Sequence, residues 1–335
     1  MSQNPKASPN LPWIPRLLMT FLAFLVDLTR RPNSTVNRRL FNLFDFKAPA
    51  SKKPNNGVAT SDIKVDPSRN LWFRLYTPET HGGGGGACMP VVLYFHGGGF
   101  CYLAANSFSF DRYCRRLTRE LRAVIVSVNY RLAPEHRHPC QREDGVDVLK
   151  FIDETNIENL PAYANLKQCF IAGDSAGGNL AHQVTLGAIE KKFLKLKIVG
   201  LIAIQPLLGG EERTESEIRL QKSTLMPMHR TDWMWKAFLP QGSNRDHPAT
   251  NIFGPNSVDI SGLKFPATMV VVGGFDPLQD WQRRYYEGLK KSGKEAYLIE
   301  YPNCGHSFYV HTQIPESSLL IEEMKNFIGL QSAYQ

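Results

Sequence analysis

A serine set between glycines is the first group in this chain placed to do chemistry. Residues 169–180 read Cys-Phe-Ile-Ala-Gly-Asp-Ser-Ala-Gly-Gly-Asn-Leu. The apolar run 169–172 reads as a buried strand, and 179–189 is helix-compatible. Between them, Gly173-Asp174-Ser175-Ala176-Gly177 is G-x-S-x-G. Strand, glycine-tight turn and helix are the setting in which this motif presents a nucleophile. A Cβ at either flanking glycine would crowd so sharp a turn. The following helix N-terminus aims free N–H groups at any anion that forms there. A five-residue motif also arises by chance, so the chain must supply a base, an acid and an oxyanion hole.

Each has a candidate. His96-Gly97-Gly98-Gly99-Phe100 comes directly off an apolar strand ending at Phe95. Its unencumbered backbone can approach a substrate carbonyl, so the oxyanion donors are the N–H groups of Gly98, Gly99 and Ala176. His96 reads as a residue holding the loop. For the acid, Asp276 follows a strand and two glycines in VVGGFDPLQD; Asp280 competes, but falls after the turn and reads as a helix cap. For the base, His306 lies in YPNCGHSF after the last expected strand, with His311 as the spare. The order Ser175, Asp276, His306 is that of an α/β hydrolase, and the chemistry is acyl transfer through the serine.

These residues need a frame. Runs 61–65 and 71–76 predict a hairpin, and 90–95, 123–128, 198–204, 267–272 and 296–301 predict further strands. Helices are expected over 108–121, 144–154, 179–189, 281–292 and 317–328. Alternation of this kind implies an α/β fold: a mostly parallel central sheet with helices on both faces. Residues 1–12 are expected to be disordered, and the glycine run 82–86 to be a flexible loop. The apolar run 17–26 is too short to span a bilayer, so residues 13–45 are read as a lid or cap helix. The hydrolase domain then fills 46–335, with a helical cap insertion near 209–240. There Met226, Met228, Trp233, Trp235 and Phe238 either line an apolar pocket or form the cap's own core.

Composition narrows the partners. The chain has 335 residues, 42% of them hydrophobic, and a net charge of +8. Its basic residues look scattered, with clusters at Arg30-Arg31 and Arg38-Arg39, which suits a solvated surface and no nucleic acid. Six cysteines show no C-x-x-C pair, so they read as reduced thiols in the cytoplasm, with the nucleus a second location. No metal or organic cofactor is implied, membrane association is not expected, and the partner is a small-molecule ester.

Together, HGGGF, Tyr130-Arg131-Leu132-Ala133-Pro134-Glu135, GDSAGGN, FDPLQD and CGHSF resemble the plant carboxylesterases of the hormone-sensitive-lipase-like group. The likeness covers essentially everything beyond residue 12. It implies a serine carboxylesterase, while dehydratases and cyclases on the same scaffold leave elimination and cyclisation open. Arg30-Arg31-Pro32 with Asn37-Arg38, residues 212–217, Asp232-Trp233-Met234-Trp235 and residues 245–249 look like the gibberellin-receptor branch, where the scaffold binds a hormone under an N-terminal lid. That branch has an aliphatic residue at position 306 and serine at positions 99 and 176. Here stand His306, Gly99 and Ala176. An imidazole beside the serine favours hydrolysis, since without it the hydroxyl stays a weak nucleophile.

Overall fold

The computed structural model describes residues 11–79, 88–154 and 160–333. The expected glycine loop, and all but the end of the expected disordered N-terminus, lie outside them. The strands are β1 Val58–Asp66, β2 Leu71–Pro78, β3 Met89–Phe95, β4 Val124–Asn129, β5 Ala164–Asp174, β6 Ile198–Ile204, β7 Ala267–Phe275 and β8 Ala296–Gly305. They form one sheet in the order β1-β2-β4-β3-β5-β6-β7-β8. The β1–β2 hairpin and its join to β4 are antiparallel; every later pairing is parallel. Chain order thus reverses around β3 and β5, where an α/β sheet opens a crevice at its carboxyl edge.

The helices are α1 Trp13–Thr29, α2 Arg38–Asn42, α3 Phe108–Leu121, α4 Cys140–Glu154, α5 Ala176–Ile189, α6 Glu215–Arg219, α7 Met228–Phe238, α8 Gln279–Lys291 and α9 Glu316–Ala333. The parallel strands are apolar throughout because both faces are covered. Val91, Leu93 and Phe95 pack with α4, α5 and α8 on one side. Val92 and Tyr94 pack with α3 and α9 on the other. Helix α3 shows why it lies down: Phe110, Tyr113, Cys114, Leu117 and Leu121 form one buried stripe at helical spacing. Burying each large side chain of that stripe contributes about 1.5–3 kcal/mol.

A third apolar cluster forms the cap over the carboxyl edge, drawing on α1, the loop after β3 and α7. Phe100 stacks on Phe238 at 3.7 Å, with Trp235 alongside at 5.8 Å. Helix α1 is strapped to α7 by Arg230, whose guanidinium meets Asp27 at 2.6 Å, and by Trp233, whose indole N–H donates to the Arg31 carbonyl at 2.8 Å. Arg38 reaches inward to Glu135 at 2.6 Å and to the Ala133 and Cys101 carbonyls.

Two histidines are locked neutral inside this frame. Burial pushes His96 down from 6.5 to about 4, and His182, beside the Tyr285 hydroxyl, to about 3. The unfolded chain takes up those protons near 6.5 and the folded chain does not, so stability is complete above that pH and falls as pH drops toward 4. Each histidine forfeits about 1.4 kcal/mol per pH unit inside its window. Asp174, pushed up to about 6 from 3.8 by burial, gives the opposite slope between those values. It is one group against four, since burial also takes His138 and His311 down to about 4. Urea midpoints measured from pH 7 to pH 4 should therefore fall, and His182→Gln should flatten the fall. A midpoint that holds steady over that range would contradict this account.

Candidate active site

The candidate nucleophile is positioned by backbone contact. Ser175, between β5 and α5, sits at φ 52° and ψ −117°, a strained conformation for a residue with a side chain. Its N–H donates to the Ile204 carbonyl at 2.9 Å, which ties the turn to β6. A Cβ on Gly177 would stand 1.9 Å from the Phe95 carbonyl oxygen, and one on Gly173 would stand 2.2 Å from the Gly177 oxygen. Only glycine lets strand β3, strand β5 and helix α5 meet this closely.

Across the crevice, the Ser175 hydroxyl faces Nε2 of His306 at 2.9 Å, and Nδ1 of His306 faces Asp276 at 2.7 Å. A carboxylate only accepts, so Nδ1 carries the proton and Nε2 is free to receive one from the serine. All three residues are buried, Asp276 completely. Asp276 takes two further hydrogen bonds, from the Leu278 N–H at 3.0 Å and the Gln282 amide at 2.9 Å. Gln205 braces the backbone on both sides of the histidine. Its amide donates to the Gly305 carbonyl at 3.2 Å and accepts from the Ser307 N–H at 2.9 Å.

The glycine loop is held beside the elbow by Asp174. That carboxylate accepts from the Gly97 N–H at 3.0 Å, from Tyr94 at 2.5 Å and from Tyr309 at 2.7 Å. Among the described residues, none accepts from the N–H of Gly98 or Gly99. The N–H of Ala176, at the first position of α5, has no intrahelical acceptor. Of the six expected residues, Ser175, His306, Gly98 and Gly99 line one cavity; Asp276 lies behind His306, and it and Ala176 are fully buried and do not line it. His96 holds the loop as expected, its Nδ1 bonded to the Gly97 carbonyl and its ring stacked on Tyr130 at 4.4 Å.

Other expectations are corrected. Asp280 does not cap its own helix: it accepts from the Ser216 N–H at 2.8 Å, in the first turn of α6. Of the five cap residues left open between lining and core, Met226 lines the cavity, Met228 does not, and Trp233, Trp235 and Phe238 are absorbed into the cap core. Met234, noted in the sequence only as part of a receptor-like motif, also lines it. Burial pushes the Cys304 thiol up to about 12, so it stays protonated beside His306. Asp174, Gln205 and Gln282 were also missed; the one local signal was a polar residue ending an apolar strand, as Gln205 does after Ile204.

The cavity over Ser175 and His306 measures about 450 Å³ and is walled by α1, the 41–46 segment, α7 and the glycine loop. A larger cleft, about 730 Å³, lies between the 250–255 loop and α8, lined by Asp246, Arg284 and Lys291, and has no serine, cysteine or histidine in its lining. Met234 presses on the active-site floor: a Cβ on Gly99, whose φ is +60°, would fall 2.4 Å from its sulfur. Gly99→Ser should therefore cost about 1–3 kcal/mol of folding stability. Because Met234 is flexible, Met234→Ala should recover part of that cost. A double-mutant cycle in urea should give a coupling above about 0.5 kcal/mol; strict additivity would mean that Met234 does not fill the space.

Residues 92–310 match the family model described as the alpha/beta hydrolase fold. The chain is 39% identical over 325 residues to a gibberellin receptor of Arabidopsis thaliana, covering 94% of this chain and 93% of the relative. It is 34% identical over 312 residues to carboxylesterase 20 of the same plant, covering 90% and 95%. A hyperthermophilic esterase from the archaeon Pyrobaculum calidifontis superposes with a TM-score of 0.75 at 24% identity, covering 96% of this chain and 99% of that one, and bears on the fold alone. With its elbow, its sheet order and relatives of this extent, the chain belongs to the α/β-hydrolase family.

Proposed function

We propose that this chain is a serine carboxylesterase acting on small, apolar or specialised-metabolite esters through an acyl-enzyme, with Ser175, His306 and Asp276 as its catalytic triad. The observation that carries the reading is the continuous hydrogen-bonded line from the Ser175 hydroxyl through His306 to a doubly braced Asp276. Nε2 of His306 takes the serine proton as Oγ bonds to the ester carbonyl carbon. The carbonyl oxygen becomes an oxyanion held by the N–H groups of Gly98, Gly99 and Ala176. Asp276 orients the imidazole and stabilises its cation. Collapse breaks the acyl–oxygen bond, and the departing alcohol carries away the proton from His306. Water then attacks the acyl-enzyme, giving its proton to His306, and the acid leaves as Ser175 is restored.

The receptor-like relatives support a second reading, a hormone-binding module under the same lid. It sits poorly with a working base 2.9 Å from a serine, which endangers any ester-bearing ligand. Ser175→Ala should lower turnover of a nitrophenyl ester by about 10⁶. His306→Val should leave only about 10³–10⁴ over water, with the fold intact. Calorimetric titration of the wild type with gibberellins should show no tight binding. Tight binding with no hydrolysis of any ester, unchanged by His306→Val, would establish the receptor reading.

Gln205 gives a finer test. It touches no reacting atom and acts through the loop that carries His306. Gln205→Ala should lower kcat by about ten- to a hundredfold with KM nearly unchanged, since a base displaced by an ångström loses that much. A rise in KM at constant kcat would assign Gln205 to substrate binding instead.

A further inference from the structure

We propose that the outer face of the lid docks on an anionic lipid surface, so that the active-site mouth opens onto the membrane interface and the esters it admits are amphiphiles held there. The substrate class rests on the esterase reading; the docking does not.

Helix α1 is apolar on two sides. Met19, Ala23 and Val26 face inward and help wall the cavity. Trp13, Leu17, Phe21, Phe24 and Leu28 recur at spacings of four, four, three and four along the opposite side, and all five are exposed, Trp13 by 73% and Phe24 by 60%. Ten of the sixteen large apolar side chains exposed among the described residues fall between positions 13 and 46. So dense a patch is rare on a free surface and marks an interaction site.

The patch runs into the cavity. Leu18, Phe21, Phe44, Phe46 and Phe108 are exposed and also line the space above Ser175. Phe21 meets Phe44 edge to face at 5.9 Å, joining the helix stripe to this rim. An acyl chain leaving an apolar phase here would pass into the pocket without crossing water.

Charge selects the occupant. Residues 11–53 hold eight basic and two acidic residues, which accounts for six of the chain's eight net positive charges. Both acids are neutralised, Asp27 by Arg230 and Arg30 and Asp45 by Lys47. Arg16, Arg31, Arg39, Lys52 and Lys53 are exposed and, among the described residues, pair with no carboxylate. Exposed apolar side chains and uncompensated cations within one segment are what an anionic interface retains. No described helix is long and apolar enough to cross a membrane, so the contact is one of lying on the surface.

The test is co-sedimentation of the full chain with phosphatidylcholine vesicles, with and without phosphatidylserine. Binding is expected only with the anionic lipid and should vanish at high salt. Arg16→Glu/Arg31→Glu/Arg39→Glu should weaken it by about a hundredfold or more. Leu17→Asn/Phe24→Asn, two residues that do not line the cavity, should weaken it at least about tenfold while turnover of a soluble nitrophenyl ester stays at the wild-type rate. Ser175→Ala should bind vesicles as the wild type does, so docking and hydrolysis can fail separately. Absence of binding, binding indifferent to phosphatidylserine, or a stable dimer that buries this face would each overturn the proposal.

Discussion

At the carboxyl edge of the sheet, helix α5 begins so near the last carbonyl of β3 that no side chain fits between them. The first turn of the helix comes within reach of Phe95 and His96 only because position 177 has no Cβ. This one approach sets the spacing between Ser175 and the glycine loop, since the loop begins where β3 ends. Asp174 then fixes the orientation. Its carboxylate sits in the elbow itself and receives the Gly97 N–H, so the loop is tied to the turn it serves. The strain at Ser175 is tolerable because the residues on either side are held by β6 and by the body of α5.

Much of this was legible from the chain, for a physical reason. The elbow, the glycine loop and the apolar strands are local features in which neighbouring residues carry the information. What escaped reading was long-range. Gln205 meets Gly305 and Ser307 across about a hundred residues of sequence, and no local pattern announces a glutamine whose partners are backbone atoms. Asp280 went astray in the same way: it does cap a helix N-terminus, but that of α6, 64 residues away. The cap aromatics were ambiguous because core and lining residues share composition. The structure separates them by whether Phe100 or the cavity lies alongside.

Met234 apart, which lines the cavity, the motifs that make this chain look like the receptor branch turn out to be scaffolding. Arg213 and Arg245 both grip Asp232, Glu217 closes a capping box with Thr214 and accepts from the Trp281 indole, and Glu212 pairs with Arg284. Of these residues, none lines the cavity over Ser175. Arg38 serves the same purpose for the lid, using Glu135 and the Ala133 carbonyl of the segment after β4 as its anchorage. These contacts hold the roof in place and are indifferent to what lies beneath it.

Most of the roof is therefore braced without reference to the floor, and Met234 against Gly99 is where the two meet. The three positions at which the sequence departs from the pattern that its resemblance to the receptor branch implies all lie at the floor: Gly99 and Ala176 beside the elbow, and His306 across from it. Two of them are constrained by packing. Ala176 is fully buried among cap residues, and Gly99 has Met234 pressed against it, so a serine at that point would have to displace the thioether into the pocket. His306 is constrained by bonding, with its ring held by Asp276 and its backbone by Gln205. A chain that had only drifted from hormone binding would have no reason to keep a carboxylate with two extra donors and a glutamine clamp around an idle imidazole. On the esterase reading, those four hydrogen bonds aim one nitrogen at one hydroxyl, and that aim serves the transfer of a proton.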